Sequence, residues 1–110
     1  MTKKVEEGKR LRIFVGENHR YKGVPLFEAI IQRAREQGLA GATILKGVES
    51  FGRHHKIHTT KVLRLAEDMP MVIEIVDSHE KIDAFLPCLD EMMEEGTVTI
   101  SDVKMIRYSP

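Results

Sequence analysis

The run Leu11-Arg-Ile-Phe-Val15 alternates and is rich in branched and aromatic side chains, and this period of two predicts a strand that stops near Gly16. A polar connection runs from Glu17 to Gly23-Val-Pro25, where Pro25 suits a first helical position. Leu26, Phe27, Ile30, Ile31 and Ala34 then recur at helical spacing, with Glu28, Gln32, Arg35 and Glu36 away from them. Gly38 supplies a stop. From Gly41 to about Val48 the period of two returns. Ala42, Ile44, Lys46 and Val48 share one face, and Thr43, Leu45 and Gly47 the other. Gly47 there marks a bulge or the close approach of another backbone.

The stretch Ser50–Thr60 reads as a loop or a long mobile hairpin, with a strand resuming over Val62–Leu65. Met69–Asp77 is the clearest strand, with Met71, Ile73 and Ile75 on one face. Glu74 interrupts its other face between Val72 and Val76. Asp77 or Ser78 is placed to cap a second helix, and Asp77 with Glu80 has capping-box spacing. The apolar face of that helix is Ile82, Phe85, Leu86, Leu89 and Met93. Pro87 removes a backbone donor and crowds the preceding turn, so a kink or two helical pieces are expected. Gly96 ends the helix, and Thr97–Ile100 with Val103–Tyr108 give a turn and a last strand.

Strand, helix, strand, long loop, strand, helix, strand is the order of an α+β, ferredoxin-like split βαβ sandwich: an antiparallel sheet with two helices on one face. A chain of 110 residues suits one such domain. The charged start, residues 1–9, reads as a flexible N-terminal lead and 10–110 as the domain. The second sheet face then presents apolar positions that invite oligomerisation.

Composition narrows the setting. Cys88 is the one cysteine, which excludes an internal disulfide; within Phe85-Leu-Pro-Cys-Leu89 it reads as a small buried hydrophobe in a reducing compartment. No apolar run spans a bilayer and no signal-peptide core follows the basic start, so a cytoplasmic protein without direct membrane insertion is expected. A formal net charge of zero argues against a dedicated nucleic-acid binder. Locally the charge is uneven. Residues 46–64 are basic apart from Glu49, whereas every charged side chain in 67–95 is acidic except Lys81. That separation suits an anionic ligand, charged contacts between subunits, or a solvated surface.

Catalytic chemistry finds little footing. Glu74 and Asp77 lie three apart on a strand and so point to opposite faces, and no Ser-His-Asp or Cys-His arrangement is assigned by spacing. The reading is therefore of a binding protein rather than an enzyme.

Several blocks in order resemble a known family: Leu26-Phe-Glu-Ala-Ile-Ile31, Ala34-Arg-Glu-Gln-Gly-Leu-Ala-Gly-Ala-Thr43, Gly47 with Phe51-Gly52, Pro70-Met-Val-Ile-Glu-Ile-Val-Asp77 and Gly96-Thr-Val-Thr99. Together they resemble the domain of unknown function 190 family, which is similar in fold to the PII signal-transduction proteins. The resemblance implies a compact trimer that binds an adenine nucleotide or related effector between subunits, with or without magnesium and with no required cofactor. It also implies a regulated partner, a membrane transporter among the candidates, contacted through the loop after the second strand. Ser50–Thr60 occupies the place of that loop, and Gly96–Thr99 that of a phosphate-holding turn. This chain lacks the glycine-lysine phosphate signature of true PII proteins at the turn, and the loop tyrosine that many of them modify.

On the residues themselves, N–H groups around Gly96 with the Thr97 and Thr99 hydroxyls suit a small anion nest. Lys46, Arg53, Lys104 and Arg107 are the candidate cations, and Gly41 and Gly47 admit a flat base or a neighbouring backbone. The partner-contact loop is Phe51, Gly52, Arg53, His54, His55, Lys56 and His58. His54, His55 and His58 have spacing for a shared divalent metal, although adjacent cations oppose it. Two alternatives accompany the effector reading: a ligand-independent structural or interaction oligomer, and a weak nucleotide-hydrolysing or metal-binding protein.

Overall fold

A computed structural model of the chain describes residues 1–46, 50–51, 57–58 and 70–110. Its frame is a four-stranded antiparallel sheet made of β1 (Thr2–Gly16), β4 (Ala42–Lys46), β7 (Pro70–Asp77) and β8 (Thr97–Ser109), ordered β4-β7-β1-β8. Two helices, α1 (Leu26–Glu36) and α2 (His79–Met92), cover one face. A short hairpin of β2 (Arg20–Tyr21) and β3 (Val24–Pro25) leads into α1, and β5 (Ser50–Phe51) pairs with β6 (Ile57–His58). This is the split βαβ arrangement that the periodicities predict.

The core lies between sheet and helices because one parity of each strand is apolar. Leu11, Ile13 and Val15 of β1 stand beside Ile75, Ile73 and Met71 of β7 and are buried under Leu26, Ile30 and Ala34 of α1. From α2 come Ile82, Phe85, Leu89 and Met92. Met92 takes the place expected of Met93, which is only partly buried. Each such side chain, fully buried, contributes about 1.5–3 kcal/mol of hydrophobic stabilisation.

Local signals set the ends. Lys22 (φ 48°) and Gly23 (φ 84°) form the two-residue loop of the β2–β3 hairpin, and the double positive φ is that of a type I′ turn. Gln37 caps α1, and Gly38 (φ 76°) lets Gly38 N–H reach Arg35 O and Leu39 N–H reach Ala34 O, a complete Schellman motif. Ser78, not Asp77, is the N-cap of α2, its hydroxyl accepting the Lys81 N–H at 3.3 Å. Pro87 lies inside a single helical span with its side chain exposed, so the expectation of two pieces is not met.

Two segments differ from the pattern-based reading. Residues 1–9, expected to be a loose lead, are strand from Thr2 onward, in register with the end of β8 from Thr2↔Ser109 to Lys9↔Asp102. Likewise Thr97–Ile100, expected to turn ahead of the last strand, already belong to β8, which runs without a break from Thr97 to Ser109 because these residues stand opposite Phe14 to Leu11 of β1. Beyond Lys9 the other neighbour, β7, has ended, so Thr2–Gly8 and Val103–Ser109 form a protruding two-stranded ribbon. The described residues extend 48 Å along their long axis and 28 Å across. The strand expected over Val62–Leu65 lies outside the described residues, as do Gly47 and Val48 at the end of the second predicted strand.

Candidate functional site

The phosphate-turn candidates sit where α2 hands over to β8. Gly96 has φ 126°, and a Cβ on it would stand 2.6 Å from the Phe14 carbonyl oxygen and 2.8 Å from Met93 Cε. Only glycine fits both the conformation and the close backbone approach. Thr97 and Thr99 are exposed on the uncovered sheet face, opposite Phe14 and Arg12 of β1.

That face carries a polar row across four strands, Thr43, Glu74, Arg12 and Thr99, read directly from the register. Glu74 Oε1 lies 3.2 Å from Arg12 Nε and 3.6 Å from Arg10 Nε, so one carboxylate serves two guanidiniums. Phe14, with 39% of its surface exposed, and Leu45, with 51%, flank the row. Its basic members escape the reading from sequence, in which Arg12 is one position of the Leu11–Val15 strand and Arg10 has no role. Their signal was cross-strand complementarity to the lone acid between Val72 and Val76. Asp77, by contrast, is buried on the helix side, so it and Glu74 face apart as their spacing requires.

Gly41 and Lys46 belong to the opposite edge. Gly41 is exposed and precedes β4, the far strand of the sheet, while Lys46 ends it. Three strand spacings, about 14 Å, separate β4 from β8, so one chain does not bring Gly41 to Thr97. Lys104 occupies the other parity of β8 from Thr97, Thr99 and Arg107. Arg107 lies eight residues past Thr99, roughly 27 Å along the strand, with Nη2 3.8 Å from Met105 Sδ. Of the nine predicted ligand residues, the described chain thus gathers Gly96, Thr97 and Thr99 at one place.

Phe51 and His58 fall in the β5–β6 pair, whose register is Ser50↔His58 and Phe51↔Ile57. Gly47, Gly52, Arg53, His54, His55 and Lys56 lie outside the described residues, and with them two of the three histidines of the metal alternative. Among the described residues no three His, Cys, Asp or Glu side chains gather as metal ligands.

On the helix side a shallow groove of about 440 Å³ runs between the β2–β3 hairpin and α1, lined by Tyr21, Lys22, Val24, Gln32 and Arg33 among others. Arg33 is held there by Glu91 at 2.7 Å; the hydrogen bond pushes the guanidinium up from its ordinary pKa and Glu91 down from its own. No described helix is long and apolar enough to cross a membrane.

Known proteins share this frame. The structure of CPII, a nitrogen regulatory PII-like protein from Thiomonas intermedia K12, bound to ADP, AMP and bicarbonate, superposes with a TM-score of 0.66 at 19% identity, covering 93% of this chain and 91% of that one. The GlnK–ATP complex of B. subtilis matches with a TM-score of 0.59 at 12% identity, covering 88% and 82%. These likenesses establish a PII-like fold. Sequence relatives are nearer: a UPF0166 protein of Aquifex aeolicus is 35% identical over 103 residues, 94% of this chain and 97% of its own length. Another, from Methanocaldococcus jannaschii, is 30% identical over 97 residues, 87% and 89% of the two chains. The DUF190 family model (Uncharacterized ACR) matches residues 8–105, and with these relatives it establishes that the chain belongs to the DUF190, or UPF0166, family on a PII-like ferredoxin fold.

Proposed function

We infer that this chain is a small cytoplasmic effector-binding signalling protein rather than an enzyme. It works as a homo-oligomer, a trimer on the family pattern, and binds an adenine nucleotide or related anion between subunits. The observation that carries this reading is the division of the candidate residues between opposite sheet edges. Gly41 and Lys46 belong to the β4 edge, and Gly96, Thr97 and Thr99 to the β8 edge. A second copy set edge to edge closes the gap that one chain leaves open, with the base entering beside Gly41 and the phosphates meeting the Gly96 turn. Adenine nucleotides bound to the structural neighbours CPII and GlnK support the ligand class.

The segment 50–60 follows β4, so a ligand at that edge sits beside its base. Binding there biases the segment between two arrangements provided the ligand has different affinity for each. The regulated partner is a protein, with a membrane transporter as one candidate, met through Phe51–His58.

Calorimetric titration of the purified oligomer with ATP, ADP, AMP and cyclic AMP, with and without magnesium, tests the reading. Saturation near one nucleotide per subunit is expected. Absence of binding to all four by a folded oligomer would replace it with a ligand-independent interaction module.

A further inference from the structure

The ribbon has one face engaged within its own chain and one face bare. On the engaged face Glu6 pairs with Lys4 at 3.0 Å, and Met105 is buried with its Cε against Gly8. The other face presents Val5 opposite Ile106 and Lys3 opposite Tyr108, with Lys104 opposite Glu7 one pair nearer the body. Val5, Ile106 and Tyr108 keep 54%, 46% and 63% of their surface exposed. A two-stranded ribbon with no third strand or covering layer is marginal in water. Three neighbouring apolar side chains on its bare face therefore call for a cover that the described chain does not provide.

A surface of matching chemistry lies on α2. Glu80, Ala84 and Pro87 follow one another at helical spacing and are exposed, with Asp83 and Asp90 beside them and exposed Glu94 just past the end of the helix. The stripe, with Lys81 at its side, has acidic ends around a small apolar centre, and the ribbon face has an apolar centre with Lys3 at one end and Lys104, opposite Glu7, at the other. The last turn of α2 has no basic residue of its own, and while Arg33 pairs with Glu91, Asp90 stands exposed at the negative end of the helix dipole. Within the chain, Lys9 of β1 already reaches Asp83 at 2.7 Å, which fixes how a strand lysine meets this stripe.

We propose that the ribbon of one copy lies across α2 of a second copy, with Val5, Ile106 and Tyr108 on Ala84 and Pro87, and Lys3 and Lys104 among Glu80, Asp90 and Glu94. This contact rests on the homo-oligomer reading above and gives it a specific arm and landing surface.

Light scattering and native mass spectrometry of the full chain over a dilution series test it. The double variant Lys3→Glu with Lys104→Glu and the double variant Glu80→Lys with Asp90→Lys are each expected to raise the assembly's dissociation constant about tenfold or more. Carrying all four reversals in one chain should return it to near the parent value, an outcome that misfolding does not mimic. Val5→Asp with Ile106→Asp should dissociate the assembly without such rescue. A parent that assembles while all these variants assemble equally well overturns the ribbon contact and leaves the oligomer intact. Loss on each reversal without rescue in the combined chain overturns α2 as the landing surface. A parent that is monomeric throughout the series removes both the contact and the oligomer reading.

Discussion

Asp77 Oδ2 accepts the Ala40 backbone N–H at 2.7 Å while its Oδ1 accepts the N–H of Ser78 at the same distance. One buried carboxylate thus joins the α1–β4 connection to the start of α2, and Lys81 adds a second tie by donating to the Gly38 carbonyl at 3.0 Å. Asp77→Ala leaves both amides without this acceptor and should cost about 2–3 kcal/mol. Asp77→Asn, which keeps an acceptor, should cost less. Urea unfolding of the two variants checks the order, and faster exchange of the Ala40 amide should accompany the loss.

Gly8 is a packing requirement of a different kind. A Cβ there would stand 2.5 Å from the Asp77 carbonyl oxygen and 2.5 Å from Met105 Cε, and the carbonyl has no freedom to withdraw. Gly8→Ala should destabilise the protein by about 1–3 kcal/mol, as overpacking does. An unchanged denaturation midpoint would show that the strand shifts to make room.

Acid should act through the exposed pair of Arg33 and Glu91. Hydrogen bonding to Arg33 holds Glu91 below its ordinary value of 4.5 in the folded chain. The unfolded chain therefore takes up the proton first as pH falls. The pair's contribution is present above about pH 4.5 and is lost as pH falls through the folded pKa. Glu6 follows the same sign, lowered chiefly by its hydrogen bond with Lys4. Melting curves of Glu91→Gln between about pH 3 and 7 should show a shallower acid limb than the parent.

An intersubunit site has a complementation signature. Gly41 is exposed and a Cβ on it meets nothing within 4 Å in the single chain, so Gly41→Val should fold normally. Gly41→Val and Thr97→Val should each weaken nucleotide binding about tenfold, or ~1.4 kcal/mol. Oligomers reassembled from the two variants should regain part of the high-affinity binding, since some interfaces then join an intact β4 edge to an intact β8 edge. No recovery in verified mixed oligomers would place both residues in one subunit's site or in none.

The fold was legible where apolar periodicity is local. Met71, Ile73 and Ile75, or Leu26, Ile30 and Ala34, declare their burial within a few residues. The first half of β1 was not, because Thr2–Lys9 has only Val5 as an apolar beat, and its strand geometry comes from β8 at the other end of the sequence. The same distance concealed the Arg12–Glu74 pair, 62 residues apart. For the candidate site, residue types were legible and placement was not. Gly41 and Gly96 both read as permissive positions, but only the sheet order assigns them to opposite edges, and only the Phe14 carbonyl explains why Gly96 is glycine.

The pairing of Thr2 with Ser109 also sets an order of assembly during synthesis. β1 is an inner strand, yet one of its neighbours is β7 and the other is β8, which follows every other strand in sequence. Sheet closure around β1 therefore waits for β8, and entropy must be spent on the long loop between the two before that rung forms. Until then the unpaired backbone edge of β1 is open to a β8 from another nascent chain. Strand exchange between neighbouring chains thus competes with self-closure, and the competition is settled only when β8 pairs.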